Sequence, residues 1–299
     1  MRFGLAGTGR WARIAHAPAL ASTPGISLAA VWGRNADAAQ SLAAEHGAAA
    51  FSDFGAFLEA VDAVAFAVPP DVQAPLALRA AEAGKHLLLE KPVALSVSDA
   101  DKLVAAASEA GVASVVFFTH RFNTEIRAWL TDEQARGAGG GWSGGVAVLL
   151  GDALQPDSPS NTPWRQDKGG LWDLGPHVVS MLWACLGPVT SVTAVPGGTD
   201  VTHLVLRHAS GASSAATVTL SAPPAAAGTN LFVWGEAGRS VMPARTDDSV
   251  GALRVAALEL AASAESGRPH PCDVRFGRDV VKVLADAQAQ LEAAGNAER

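Results

Sequence analysis

Five short apolar runs, at residues 2–6, 27–32, 63–68, 86–89 and 114–118, alternate with longer alanine-rich amphipathic stretches at 10–22, 36–46, 72–83 and 98–110. Strands apolar on both faces and separated by helices specify a parallel sheet wound in both directions, because each crossover helix covers one face. Gly47, Gly84 and Gly111 follow three of the helical stretches, where a left-handed cap belongs. The fold class is therefore α/β over the first 119 residues. After His120 the rhythm changes. A glycine-rich patch from Gly137 to Gly141 reads as a loop or hairpin end, and strand-like runs follow at 146–150, 191–195, 202–207, 215–221 and 231–235. One helical stretch at 173–186 interrupts them, and two more, at 248–266 and 276–294, close the chain. Strands in succession with few helices between them predict a second, α+β domain at 120–299, built on an open, mainly antiparallel sheet.

Composition removes several function classes. Of 299 residues, 49% are hydrophobic and 17% charged, against a usual charged share of about 25%, so the chain has the means to bury a large core. A net charge of −7 offers no bulk attraction to nucleic acid or an anionic membrane. Two cysteines, Cys185 and Cys272, are too few for a disulfide framework or a cysteine zinc site. The first residues carry no apolar stretch of signal-peptide length, and none elsewhere approaches the roughly 20 residues of a spanning helix. The expectation is a soluble, cytoplasmic protein with a small-molecule partner.

Gly7-Thr8-Gly9-Arg10-Trp11-Ala12 fits G-x-G-x-x-A immediately after the first strand and at the opening of the first helix. In such a loop the first glycine makes the tight turn, the second admits a pyrophosphate to the backbone, and the small third residue allows close helix–strand packing. The free N–H groups of the helix N-terminus then face the phosphates. The second strand ends in Trp32-Gly33-Arg34-Asn35, without the acid that binds a ribose 2′-hydroxyl in NAD sites. Asn35 reads as a helix N-cap, placing Asp37 in the first turn beyond it. Arg34 has the planar fork that pairs with a 2′-phosphate, with Arg10 nearby in the loop. This favours NADP and leaves NAD possible; the alternative for Arg34 is a solvated surface arginine.

Beyond this loop stand Val68-Pro69-Pro70 and a strand ending Glu90-Lys91-Pro92, then Trp164-Arg165 and Gly169-Gly170-Leu171-Trp172-Asp173-Leu174-Gly175-Pro176-His177. In this order the motifs resemble the family named for glucose–fructose oxidoreductase, inositol dehydrogenase and MocA, and the resemblance covers nearly the whole chain. It implies a Rossmann domain followed by an open-sheet domain, and NAD(P)-dependent oxidation or reduction of a sugar, polyol or related molecule. It assigns Lys91 as the active-site lysine and Asp173 and His177 as the acid and histidine. It also implies a cofactor contact for Pro69 and Glu90 and, often, a cis peptide at Lys91-Pro92. Two departures stand out: Ser180 occupies a position where many members carry a second acid, and the chain has no tyrosine.

Physical reading of these residues runs parallel to the resemblance. Asp173 and His177, four apart with Pro176 between them, are expected in the first turn of one helix, on one face. There the dipole favours a carboxylate and a neutral imidazole, suited to accept a hydroxyl proton. Lys91, following a buried strand, points at the carboxyl end where such sheets bind ligands, and its charge suits a developing alkoxide. Glu90 either fixes Lys91 or packs structurally. Arg121, Trp164, Arg165 and Trp172 are candidate substrate contacts, the tryptophans by stacking on a sugar ring. The Asp-x-x-x-His pair has no third ligand near it in sequence, so no metal is expected. The remaining histidines, His16 among them, show no spacing that demands chemistry. A redox-neutral enzyme that retains its cofactor, or a non-catalytic dinucleotide sensor, is the competing reading on the same fold. The open sheet, with few charges to solvate it, is expected to join subunits into a homodimer or homotetramer.

Overall fold

The computed structural model describes residues 1–137, 141–236 and 238–297. They form two compact units, one of 1–123 with 246–281 and one of 124–245 with 282–299. The chain thus returns to the first unit near its end, a return that a single boundary at residue 119 does not separate.

The first unit holds a six-stranded parallel sheet of β1 (Arg2–Ala6), β2 (Ser27–Trp32), β3 (Ala49–Phe51), β4 (Ala63–Phe66), β5 (His86–Glu90) and β6 (Ser114–Phe117). Its order is β3-β2-β1-β4-β5-β6, so the winding reverses between β1 and β4, where such sheets open a crevice at their carboxyl ends. The connecting helices are α1 (Ala17–Ser22), preceded by a π-helical turn (Ala12–His16), then α2 (Ala36–Glu45), α3 (Phe54–Glu59), α4 (Pro70–Glu82) and α5 (Val97–Glu109). Side chains of Asn35, Asp53 and Ser96 accept the N–H of Ala38, Ala56 and Asp99 and so start α2, α3 and α5. Gly47, Gly84 and Gly111 follow α2, α4 and α5 with φ of 68°, 72° and 64°, the left-handed ends expected of them. β1, β4, β5 and β6 contribute a continuous apolar core, with Leu5, Val64, Leu88 and Val116 fully buried. Small residues let the layers close up: a Cβ on Gly4 would lie 2.4 Å from the Phe57 ring. α9 (Ser249–Ser266) also packs in this unit, against α1 and β6.

The second unit contains α6 (Thr124–Gly137), β7 (Trp142–Leu150), α7 (Pro163–Asp173), α8 (Gly175–Leu186), β8 (Val189–Pro196), β9 (Thr202–His208), β10 (Ser213–Thr219), β11 (Gly228–Gly235) and β12 (Gly238–Val241). The last helix, α10 (Val274–Ala297), contributes its later residues. The sheet order is β12-β11-β7-β10-β9-β8, antiparallel throughout except for the parallel pair β7 and β10. Leu149, Leu204, Leu206, Val218, Leu231 and Val233 line its buried face, against which α8 sets Leu182 and Leu186. The other face carries one row across all six strands: Thr193, Val205, Ala215, Val146, Phe232 and Val241. Val205 and Val241 there are 51% and 50% exposed within the single chain.

Some elements are not announced by the sequence, and two of its expectations change. The segments now seen as α6 and α7 carry no strong apolar stripe, since α6 buries only Ile126, Leu130 and Glu133. β3 and β12 are too short to announce themselves. The glycine patch contributes Gly137 to α6, while Ala138, Gly139 and Gly140 lie outside the described residues. The single helix expected at 173–186 is two helices meeting at Leu174. Among the described residues no helix is long and apolar enough to cross a membrane.

Candidate active site

In the first unit the candidate residues gather at the carboxyl ends of β1, β2, β4 and β5. Gly7 leaves β1 with φ of 131°, its N–H bonded to Trp32 O at 2.9 Å. A Cβ there would fall 2.4 Å from Ala67 O, so the turn itself excludes every side chain. Gly9 is different: its φ is ordinary and a Cβ would meet nothing within 4 Å. The fold does not require that glycine, and the space above it suits a group from outside the chain, as the pyrophosphate of a dinucleotide would be. Thr8 lies against Gly33, where a Cβ would come within 2.7 Å of its methyl. Asn35 is the N-cap of α2 and Asp37 sits in its first turn, as expected. Arg10 and Arg34 are exposed, and among the described residues neither side chain holds an ion pair. Pro69 is the N-cap position of α4, at the start of the crossover that leaves β4.

Trp11, His16 and Glu90 form one cluster. Trp11 Nε1 donates to Glu90 Oε1 at 2.6 Å, and His16 Nε2 lies 2.9 Å from the same oxygen. The π-helical turn makes this possible: Ala17 N–H reaches back to Ala12 O, and the added residue swings Trp11 and His16 toward one acceptor. In an α-helix, residues five apart stand about 140° apart around the axis. His16 is fully buried and was invisible in the sequence because ordinary helical spacing separates it from Trp11. Gln73 clamps the main chain at the same corner. Its amide donates to Glu90 O at 2.8 Å and Pro92 O at 3.2 Å, and accepts Glu90 N–H at 2.8 Å. Glu90 therefore serves as the anchor of the strand end that carries Lys91, and Lys91-Pro92 is cis. Arg121 sits over the Phe276 ring at 5.7 Å.

In the second unit Asp173 is 5% exposed and takes Arg165 Nε on Oδ2 at 2.7 Å. Arg165 also donates to Ser160 O at 3.2 Å and lies over the Trp164 ring at 4.9 Å. The expected shared helix start is corrected here. Asp173 closes α7, whereas His177 lies in the first turn of α8, after Pro176. Arg165 is one partner of this carboxylate, and of the two residues only His177 stands at a helix N-terminus. Ser180, fully buried, donates Oγ to His177 O at 2.9 Å on its own helix. Trp172 is 3% exposed, and its Nε1 donates to Gln288 Oε1 at 3.3 Å. Among the described residues no group of three or more His, Cys, Asp or Glu is gathered to hold a metal.

Residues 1–118 match the model of an oxidoreductase family with an NAD-binding Rossmann fold, and residues 140–241 match the GFO/IDH/MocA C-terminal domain. The chain belongs to the GFO/IDH/MocA family. Within it, a dTDP-3,4-didehydro-2,6-dideoxy-alpha-D-glucose 3-reductase of Streptomyces violaceoruber is 32% identical over 195 residues, 62% of this chain and 55% of that protein. An uncharacterized oxidoreductase of Escherichia coli is 30% identical over 226 residues, 70% of this chain and 62% of the relative. The chain thus spans less than two thirds of the length of these relatives. Levoglucosan dehydrogenase, solved in complex with NADH and levoglucosan, shares the fold with a TM-score of 0.86 at 20% identity, covering 98% of this chain and 97% of its own.

The two loop glycines make opposite predictions. Gly7→Ala is expected to destabilise the first unit, because its Cβ collides with main chain. Gly9→Ala is expected to keep the melting temperature and weaken binding of a reduced dinucleotide, read by nicotinamide fluorescence. Equal dinucleotide affinity in Gly9→Ala and wild type would remove the phosphate role from this loop.

Proposed function

We propose that the protein is an NAD(P)-dependent oxidoreductase that moves a hydride between nicotinamide and a hydroxyl or carbonyl carbon of a sugar, polyol or related small molecule. The observation that carries this reading is the open space over Gly9 where the sheet reverses. Family membership and the named activities of the sugar-acting relatives support it. In this reading residues 1–119 hold the cofactor through Gly7, Thr8, Gly9, Arg10, Trp11, Arg34, Pro69, Glu90 and Lys91. Residues 120–299 hold the substrate, with Arg165 and Trp164 at its edge.

When bound, the nicotinamide supplies or accepts the hydride. Lys91 offers positive charge to the substrate oxygen, stabilising an alkoxide in one direction and polarising a carbonyl in the other. His177 takes the hydroxyl proton on its imidazole during oxidation and returns it during reduction. Asp173, paired with Arg165, presents a fixed acceptor beside that histidine's helix. Lys91→Ala and His177→Ala are each expected to lower turnover of a responsive polyol by about a hundredfold, roughly 3 kcal/mol of barrier. In His177→Ala the reduced-cofactor affinity should stay near wild type and the acid limb of the pH–rate profile should flatten. Near-normal turnover in both variants would sink the mechanism.

NADP is the proposed preference, although the structural relative named above holds NADH. Arg34, exposed at the end of β2 with no acid beside it, supports this. A charge-assisted hydrogen bond to phosphate is worth roughly 1.5–3 kcal/mol, or about 10- to 150-fold in affinity. Arg34→Ala is expected to remove most of an NADPH-over-NADH advantage of that size, with little change for NADH. Titration of both proteins with both cofactors decides it, and equal wild-type affinities would end the case for NADP.

The apolar row on the open sheet face supports assembly into a homodimer or homotetramer. Static light scattering is expected to show more than one subunit at micromolar concentration, and Val205→Lys, within that row, to shift the population toward monomer. A wild-type monomer at that concentration would exclude the interface.

A further inference from the structure

The loop between β8 and β9 contains Thr199, with φ of 59°, the left-handed region. For a β-branched residue this is a true outlier that persists only where its surroundings hold it. Its neighbour Asp200 supplies the hold. Asp200 Oδ2 accepts Leu220 N–H at 2.7 Å and Gly170 N–H at 3.0 Å, while Oδ1 accepts the Thr219 hydroxyl at 2.5 Å. Burial pushes this carboxyl up, but the hydrogen bonds from Thr219, Leu220, Ser221 and Gly170 outweigh it and leave Asp200 below the ordinary carboxylate range. The carboxylate is therefore ionised while its donors are in place.

Gly170 is the point of contact with the second motif. Gly169, with φ of 62° and ψ of −164°, breaks α7 just before it, and a Cβ on Gly169 would come within 3.4 Å of Asp200 Cβ. Gly170 lies main chain against main chain on Thr219, where a Cβ would stand 2.8 Å from Thr219 Cα. Its carbonyl then accepts Leu174 N–H at 2.8 Å, and Leu174 O accepts His177 N–H at 3.0 Å. One path of hydrogen bonds runs from Asp200 through Gly170 and Leu174 to His177, with Asp173 inside the turn it spans.

We propose that Asp200 is a positioning residue for the Asp173 and His177 pair: it fixes the start of the Gly170–Leu174 turn and so sets where the proton-handling groups stand. The catalytic meaning of this placement rests on the proposed function, whereas the placement itself does not. Aspartate suits the task because donors converge on it from α7 and from the end of β10, and a carboxylate accepts at both oxygens.

The test compares wild type, Asp200→Ala and Asp200→Asn by histidine NMR, turnover and reduced-cofactor titration, with His177→Gln to assign the His177 signal. In Asp200→Ala the His177 signal and its titration midpoint are expected to move while His86, in the other unit, stays. Turnover should fall about ten- to a hundredfold, the scale set by a displacement of about 1 Å, with cofactor affinity near wild type. Asp200→Asn should recover most of both, since its amide oxygen still accepts the two N–H groups and the Thr219 hydroxyl can turn to accept. An Asp200→Ala protein with wild-type His177 behaviour overturns the proposal, as does one in which every histidine moves along with a fall in melting temperature. If wild type turns over no sugar or polyol, the functional reading fails and the NMR comparison still decides Asp200. Should Asp200→Ala not fold, Thr219→Val removes one donor and leaves the carboxylate; it is expected to move His177 by less, and no movement counts against the role.

Discussion

The approach of Gly7 to the carbonyl of Ala67 is the contact on which the first unit's chemistry depends. β1 and β4 lie side by side, and their crossovers leave in opposite directions. For the crevice between those crossovers to stay open, the chain leaving β1 must turn at once, closer to its neighbour's backbone than any Cβ allows. From this turn follow the opening of the first helix, the placement of Gly9, and the meeting of Trp11 with the end of β5. A methyl group at Gly7 would disturb all three, although none of them touches residue 7 directly.

Both units treat their acidic groups alike. Glu90 receives an indole N–H and a buried imidazole; Asp173 receives a guanidinium; Asp200 receives two backbone amides and a hydroxyl. In each case the carboxylate accepts from donors that lie outside its own helical turn or strand. Such convergence costs little where the donors are already ordered, and leaving one oxygen bare would be expensive. Charged residues are scarce in this chain, and many of those that are buried mark joints between elements.

The outer parts of the fold were legible wherever apolar period and capping chemistry agreed. β1 and β2 fall on the residues that their apolar runs span, and Asn35 caps α2 as its side chain requires. Legibility failed where a segment buries only a thin stripe, as in α6, or where one glycine interrupts a helix, as Gly169 does in α7. The motif residues Gly7, Gly9, Glu90, Asp173 and His177 could be singled out because their types are tied to chemistry. His16, Gln73 and Asp200 could not. Each acts through a partner far away in sequence, and no local pattern announces a bond to a strand end or to a glycine amide.

The π-helical turn at Ala12–His16 makes the first helix behave as a screw with one extra thread. Its forward end is indexed to the loop at Gly9 and its rear end to α9 and β2, so the count of residues between them sets the angle at which the loop is presented. Drawing the same residues into a regular α-helix would carry Trp11 and His16 to about 140° apart around the axis. Trp11 and His16 would then face different neighbours. The wide turn is thus as much a part of the site as the side chains it aligns.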